Sequence, residues 1–296
     1  MILTEIYDGQ GMGNQLACYV TTRVVAKDLG YDFGIMNPHK FKCLDFMDLD
    51  FGLPVTGGSG REGGPPDTLP DGIQYYFKER YNVLPNGANV TIDDPNLLQI
   101  PDNTKIDGIF QSENQIIHRR DEIRQWLKVK PEKDCYDYSD PNICIINYRG
   151  GEYTYMPWVL IRHEYWMNAI DKMKSINPNM KFVVITDDVE TSKKQFPDFE
   201  VYHFDIGKDF SIIKNAHYLI ISNSSFPIFA IMMNENVKHI IAPKYWARHN
   251  VSDGYWSCGY NIYKNYNYLD REGNFSTYEE CVEEFSEYMK QHPTYW

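Results

Sequence analysis

Three short stretches of this chain carry residue types that could hold a phosphate-bearing ligand. The tightest is Asp209-Phe-Ser-Ile-Ile-Lys-Asn-Ala-His-Tyr-Leu-Ile-Ile-Ser-Asn-Ser-Ser225, which reads as a short helix, a buried strand and a polar turn opening the next helix. Where a strand feeds a helix N-terminus, unpaired N–H groups and the helix dipole make an anion site. The hydroxyls of Ser224 and Ser225 would add to it. Asp209, one helix earlier, can fold back beside that turn. A carboxylate for the base, with N–H and hydroxyl groups for phosphates, suits a nucleotide.

The second stretch is Ile146-Asn-Tyr-Arg-Gly-Gly-Glu-Tyr153, at the end of a predicted strand. Ligands of open α/β sheets sit at the carboxyl ends of strands. Arg149 would emerge there, and a guanidinium can hold a diphosphate bidentately and neutralise it as a leaving group. The plainer reading is a surface arginine paired with Glu152 or Asp187. Glu152 is a candidate general base, or a brace for Arg149 or a turn amide. The third stretch, Gly9-Gln-Gly-Met-Gly-Asn-Gln15, follows the first strand and opens the first helix. Its glycines admit a close ligand or a close backbone. Its spacing is not the dinucleotide fingerprint, and no acid closes a second strand about twenty residues on.

Other patterns carry less. Thr186-Asp-Asp188 ends a strand, where helix capping is the expected role. Asp48-Leu-Asp50 has the D-x-D form of a metal-holding triplet, but it lies far from the anion sites and is assigned no metal. The histidines show no H-x-x-x-H or H-E-x-x-H spacing, and no G-x-S-x-G elbow is present. Asp8 is a second, weaker candidate base.

The elements that must position these groups alternate. A strand over 2–7 leads into a helix from Asn14 to Leu29, with Gly30 as its cap. Residues 54–72 are too rich in Gly and Pro for regular structure and read as a mobile surface loop. A strand at Asp107 precedes a charged helix over 116–127, and 131–141 reads as a linker. Strands are predicted at 143–146, 182–186, 218–221 and 239–242, with helices near 163–175, 208–216 and 226–235. Short apolar runs alternating with helices indicate a parallel α/β sheet. An amphipathic helix over 277–291 is expected to pack back across both halves.

The 296 residues suffice for two domains, and 43% hydrophobic with 24% charged residues excludes wholesale disorder. A net charge of −12, with no basic stripe, argues against nucleic acid as partner. The 23 tyrosines, 15 phenylalanines and 6 tryptophans read mostly as aromatic core and surface, with sugar stacking as the pointed alternative that composition does not decide. Six scattered cysteines without C-x-x-C spacing read as reduced buried thiols in a reducing compartment. No basic n-region opens the chain and no stretch reaches the 18 or so apolar residues of a membrane span. A soluble, cytoplasmic protein is expected.

Taken in order, the segments resemble the bacterial α-1,2-fucosyltransferases of glycosyltransferase family 11 and, more distantly, other GDP-fucose-using transferases of the GT-B fold. The family's G-G-x-G-N-Q opening corresponds to Gly9–Gln15, and its G-Y-F-Q-S-E to Gly108-Ile-Phe-Gln-Ser-Glu113. Its H-x-R-R-x-D-Y hallmark aligns with Asn147–Tyr153, its S-D-D strand end with Thr186–Asp188, and its P-K-x-W with Pro243–Trp246. An acid followed by N-S-[ST] corresponds to Asp209 and Asn223-Ser-Ser225. The hallmark departs at three places: Asn147 stands for His, Gly150 for the second Arg and Glu152 for Asp.

The resemblance implies two Rossmann-type domains facing a cleft: residues 1–135 on the acceptor side and 136–296 binding the nucleotide-sugar donor. It implies inverting, metal-independent transfer from GDP-fucose to a glycan hydroxyl, without a cofactor. By position, Arg149 would meet the β-phosphate, Asp209 the guanine, and Asn223, Ser224 and Ser225 the phosphate end. Gly11, Gly13 and Asn14 would approach from across the cleft, with Asn147 beside the diphosphate. With one cation fewer in the hallmark, Lys244, Arg248 and His249 are the compensating candidates. The alternatives are a relative using another nucleotide sugar, or a catalytically weak glycan- or nucleotide-binding protein on the same fold.

Overall fold

The computed structural model describes residues 1–58, 68–83, 89–252, 254–256 and 261–293. Residues 59–67 of the glycine- and proline-rich stretch, and Cys258, lie outside them. In the first half, β1 (Ile2–Glu5) is buried along its length and turns into α1 (Met12–Leu29). Gly30 ends that helix at φ 74°, a left-handed conformation that costs glycine nothing. There follow β2 (Phe33–Met36), β3 (Met47–Asp48), β4 (Tyr75–Lys78), β5 (Arg80–Val83), β6 (Asn89–Ile92) and β7 (Thr104–Asp107). Then come α2 (Arg120–Trp126) and β8 (Lys128–Val129).

The helix expected over 116–127 is shorter than its charge pattern suggests. Residues 113–119 wind mostly as 3-10 turns, with His118 and Arg119 reaching Asp28 of α1 at 2.8 and 2.5 Å. The segment expected as a linker is tied down. Asp134 accepts from Ser211 at 2.7 Å and from Lys214 and Asn215 at 2.8 Å.

The second half runs β9 (Ile143–Tyr148), α3 (His163–Ile176), β10 (Lys181–Thr186), α4 (Val189–Gln195), β11 (Glu200–Tyr202) and α5 (Ile206–Asn215). It continues through β12 (Tyr218–Ile221), α6 (Phe226–Met233), β13 (His239–Pro243), β14 (Asn267–Leu269), β15 (Phe275–Ser276) and α7 (Tyr278–Gln291). A capping box of Thr277 and Glu280 starts α7, which packs against β14 while Glu284 receives Lys244 at 2.5 Å and Tyr245 at 2.6 Å.

Two parallel sheets result. The first has the order β2-β1-β7-β4. The second has β11-β10-β9-β12-β13-β14, with β15 added antiparallel at its edge. Numbered in chain order, the six parallel strands of the second sheet lie third, second, first, fourth, fifth, sixth. That is the arrangement of doubly wound nucleotide-binding sheets. Its central strands are near-continuous apolar runs, as burial on both faces requires.

One of the buried clusters spans both halves. It includes Leu16 and Val20 of α1, Ile123 of α2, Phe210 of α5 and Ile228 and Ile231 of α6. Cys18, Cys43, Cys144 and Cys281 are buried free thiols and Cys135 is a half-buried one. Among the described residues, no helix is long and apolar enough to cross a membrane.

Candidate active site

Strand order reverses between β1 and β7 in the first sheet and between β9 and β12 in the second. Crevices at such switch points, beyond the carboxyl ends of the strands, are where α/β sheets take ligands. The residues leaving these four strand ends line one cleft of about 970 Å³. From the first half come Gly9, Gly11, Gly13, Asn14 and Asp107; from the second come Asn147, Arg149, Ser224 and Ser225.

Two helices begin at its floor. Gly11 is the N-cap of α1 and Ser225 that of α6, and neither cap makes a side-chain hydrogen bond to its helix. The helices touch at their first turns. A methyl group on Gly13 would meet Ser225 Oγ at 2.7 Å and the Ser225 carbonyl closer still. Gly13 is thus required by the neighbouring backbone, and the contact sets two positive helix ends side by side. Ser224 Oγ accepts from Phe226 N–H at 3.3 Å, and Pro227 contributes no donor. Asn14 Oδ1 accepts from Gln111 at 2.7 Å, so its orientation is fixed.

The β9 end supplies the next group. Asn147 is buried, and its Oδ1 has no partner although it lines the cleft. An orphaned buried acceptor is costly unless a ligand donor reaches it. Arg149 is held by both candidate carboxylates at once. Its Nη2 donates to Glu152 at 2.8 Å, its Nη1 to Asp187, and its guanidinium lies 5.2 Å from the Tyr153 ring. Asp187 also accepts from Gly150 N–H at 2.9 Å, tying the loop to the β10 end. Asp188 caps α4 by accepting from Thr191 N–H at 3.0 Å, the expected role.

Asp209 lines the cleft from the first turn of α5, almost fully buried. Burial pushes its carboxyl upward, opposed by Phe204 N–H at 3.2 Å and by His203 at 2.7 Å. Both oxygens are engaged, so a base edge would share Asp209 with His203, which also lines the cleft.

Several expectations are corrected by position. Asn223 is set back from the cleft, its amide donating to Val159 O at 2.8 Å. Asp8 pairs with Lys40 at 2.7 Å and is highly exposed. Asp50 of the D-x-D triplet, to which no metal is assigned, accepts from Gly52 N–H and pairs with Arg23 outside the cleft. Among the described residues no group of three or more His, Cys, Asp or Glu side chains could hold a metal. The proposed compensating cations do not reach the site: Lys244 pairs with Glu284, Arg248 lies 5.4 Å from the Tyr255 ring, and His249 is buried. Lys42, Lys78 and Arg80 of the first half line the cleft as well as Arg149. Sequence reasoning missed Lys78, Glu79 and Arg80, which read as an ordinary solvated charge run, and Lys42, a lone lysine in no motif.

Residues 73–269 match the model of Glycosyl transferase family 11. The chain belongs to glycosyl transferase family 11. This family 11 protein is a glycosyltransferase, and its cleft is the candidate active site. No curated protein sequence matches it. Solved structures similar to it include the NodZ α-1,6-fucosyltransferase soaked with GDP-fucose, 15% identical, covering 82% of this chain and 94% of that one at TM-score 0.46. The family 9 glycosyl transferase of Veillonella parvula is 13% identical, covering 99% and 96% at 0.47. A variant of Arabidopsis thaliana FUT1 in complex with GDP is 10% identical, covering 81% and 69% at 0.46. These likenesses are too remote to carry weight beside the family match.

Proposed function

We propose that this family 11 protein transfers L-fucose from GDP-fucose to a glycan hydroxyl, with inversion, α-1,2 linkage and no metal. The observation that carries the donor site is the pair of abutting helix starts, α1 and α6, in the cleft that Arg149 and the orphaned Asn147 Oδ1 also line. Two positive helix ends and a guanidinium match a diphosphate that gains charge as it departs. Lys42, Lys78 and Arg80 add positive charge from the facing half. The sugar, linkage and stereochemistry rest on the ordered resemblance to α-1,2-fucosyltransferases. In this reading Asp209 takes the guanine edge, and an acceptor oxygen displaces GDP directly at the anomeric carbon. Glycan acceptors would enter from the first half, where Tyr81 exposes its ring.

Calorimetric titration with GDP, UDP and CDP, each with and without EDTA, tests the donor assignment. GDP should bind tightest, unaffected by EDTA. Equal affinity for the three nucleotides, or binding abolished by EDTA, would overturn it.

A further inference from the structure

Direct displacement needs a group to receive the acceptor proton, and neither base named from the sequence is well placed for it. Glu152 gives an oxygen to Arg149, the cation expected at the leaving group, and Asp8 turns away to Lys40. In an inverting displacement the nucleophile approaches from the face opposite the leaving group, so its base belongs across the cleft from Arg149.

Glu79 occupies such a place. It stands between β4 and β5, lines the cleft from the first half, and is half-buried there. Its carboxylate accepts from Ile109 N–H at 2.6 Å and from Phe110 N–H at 3.1 and 3.2 Å. Its stem packs so closely on the turn that a methyl group on Gly108 would meet Glu79 Cβ at 2.5 Å. The carboxylate is therefore fixed in position, and each oxygen keeps further lone-pair capacity. Arg80 and the exposed ring of Tyr81 continue the cleft wall beside it, a surface suited to a pyranose.

We propose that Glu79 is the general base of the transfer reaction, receiving the proton of the acceptor hydroxyl. As the O–H bond breaks, its electron pair stays on the acceptor oxygen, which forms the new bond to the anomeric carbon. The bond from that carbon to the β-phosphate oxygen breaks, and its pair leaves with the nucleoside diphosphate. The proton on Glu79 passes to solvent after the product departs.

The surroundings tune Glu79 for that task. Burial raises its carboxyl to about 7, with the charges of Asp93 and Asp107 adding and the two backbone N–H groups opposing. The thiol of Cys18, on α1, faces the same region and is itself raised by burial. A base poised near the working pH combines the correct protonation state with a useful affinity for the proton.

This inference rests on the proposed nucleotide-sugar chemistry, and its test keeps the two separable. Wild type, Glu79→Gln and Glu79→Asp are assayed with GDP-fucose and other nucleotide sugars over a glycan panel, following nucleoside diphosphate release against pH. Wild-type kcat/KM should rise through about pH 7 and level off. Glu79→Gln should lose on the order of 10²–10⁴-fold in kcat, lose that acid limb, and keep its nucleotide affinity. Glu79→Asp should recover part of the rate and the limb. A Gln variant that retains the limb, or that changes only KM and melting temperature, would make Glu79 a brace of the 108–110 turn. If Glu79→Gln fails to fold, a wild-type profile with no acid limb overturns the proposal by itself. Use of a donor other than GDP-fucose overturns the fucose reading while the Glu79 comparison proceeds on that donor. No transfer from any donor overturns both.

Discussion

Gly13 and Ser225, more than two hundred residues apart, are in backbone contact at the floor of the cleft. A side chain at position 13 would occupy the space of the Ser225 carbonyl and lie 2.7 Å from its Oγ. Gly13→Ala should therefore force the two helix starts apart. Overpacking of this kind costs about 1–3 kcal/mol, which a denaturant midpoint would register. Nucleotide affinity should fall as well, whereas Gly11→Ala, with open space around its added methyl, should leave the midpoint nearly unchanged.

Arg149 is oriented by Glu152 and Asp187 before any ligand arrives. If it meets charge that grows as GDP departs, Arg149→Ala should lower kcat by on the order of 10²–10³ with a smaller change in GDP affinity. Asp187→Asn should give a weaker version of the same pattern, because the guanidinium keeps Glu152. Normal turnover in a folded Arg149→Ala protein would leave Arg149 as a surface ion pair only.

The missing hallmark arginine cannot simply be restored. A Cβ at position 150 would meet Asp188 Cβ at 2.7 Å, and Asp188 is committed to capping α4. Gly150→Arg should lower the melting temperature without tightening GDP binding, read from one thermal melt and one titration. A gain in affinity at unchanged stability would contradict this packing of Gly150 on Asp188.

Acid should destabilise the protein through His249. Burial holds this imidazole down to about 4 from an ordinary 6.5, helped by Arg271 and Arg162 and opposed by the Lys244 carbonyl and Asp270. The unfolded chain takes up that proton first as pH falls. The stability His249 contributes is thus present above pH 6.5 and is lost as pH drops toward 4. Melting temperatures over that range should fall more steeply in wild type than in His249→Gln.

The second sheet was legible because its strands are short β-branched runs between amphipathic helices, and four of them start or end within a residue or two of the expected positions. α4 was legible only through its expected Asp188 cap, since Val189–Gln195 has no apolar period; folding adds the buried Ser192 hydroxyl, which donates to Thr186 at 2.8 Å. In the site, strand ends and turns pointed to Arg149 and the Ser224–Ser225 turn, while Asn147 came only from the family resemblance. Asn223 looked equivalent in sequence, yet its side chain turns inward to Val159. Glu79 was invisible for the opposite reason: between Lys78 and Arg80 it looks solvated, and only folding sets it against the Gly108 turn.

The core shared by α1, α5 and α6 makes the two halves poor candidates for exchange as cassettes. In a chimera, the incoming half would need a glycine and a matching apolar face opposite α6 as well as its own ligand groups. Donor and acceptor preferences on this scaffold should accordingly be changed through the strand-end loops, with the helix seam inherited whole.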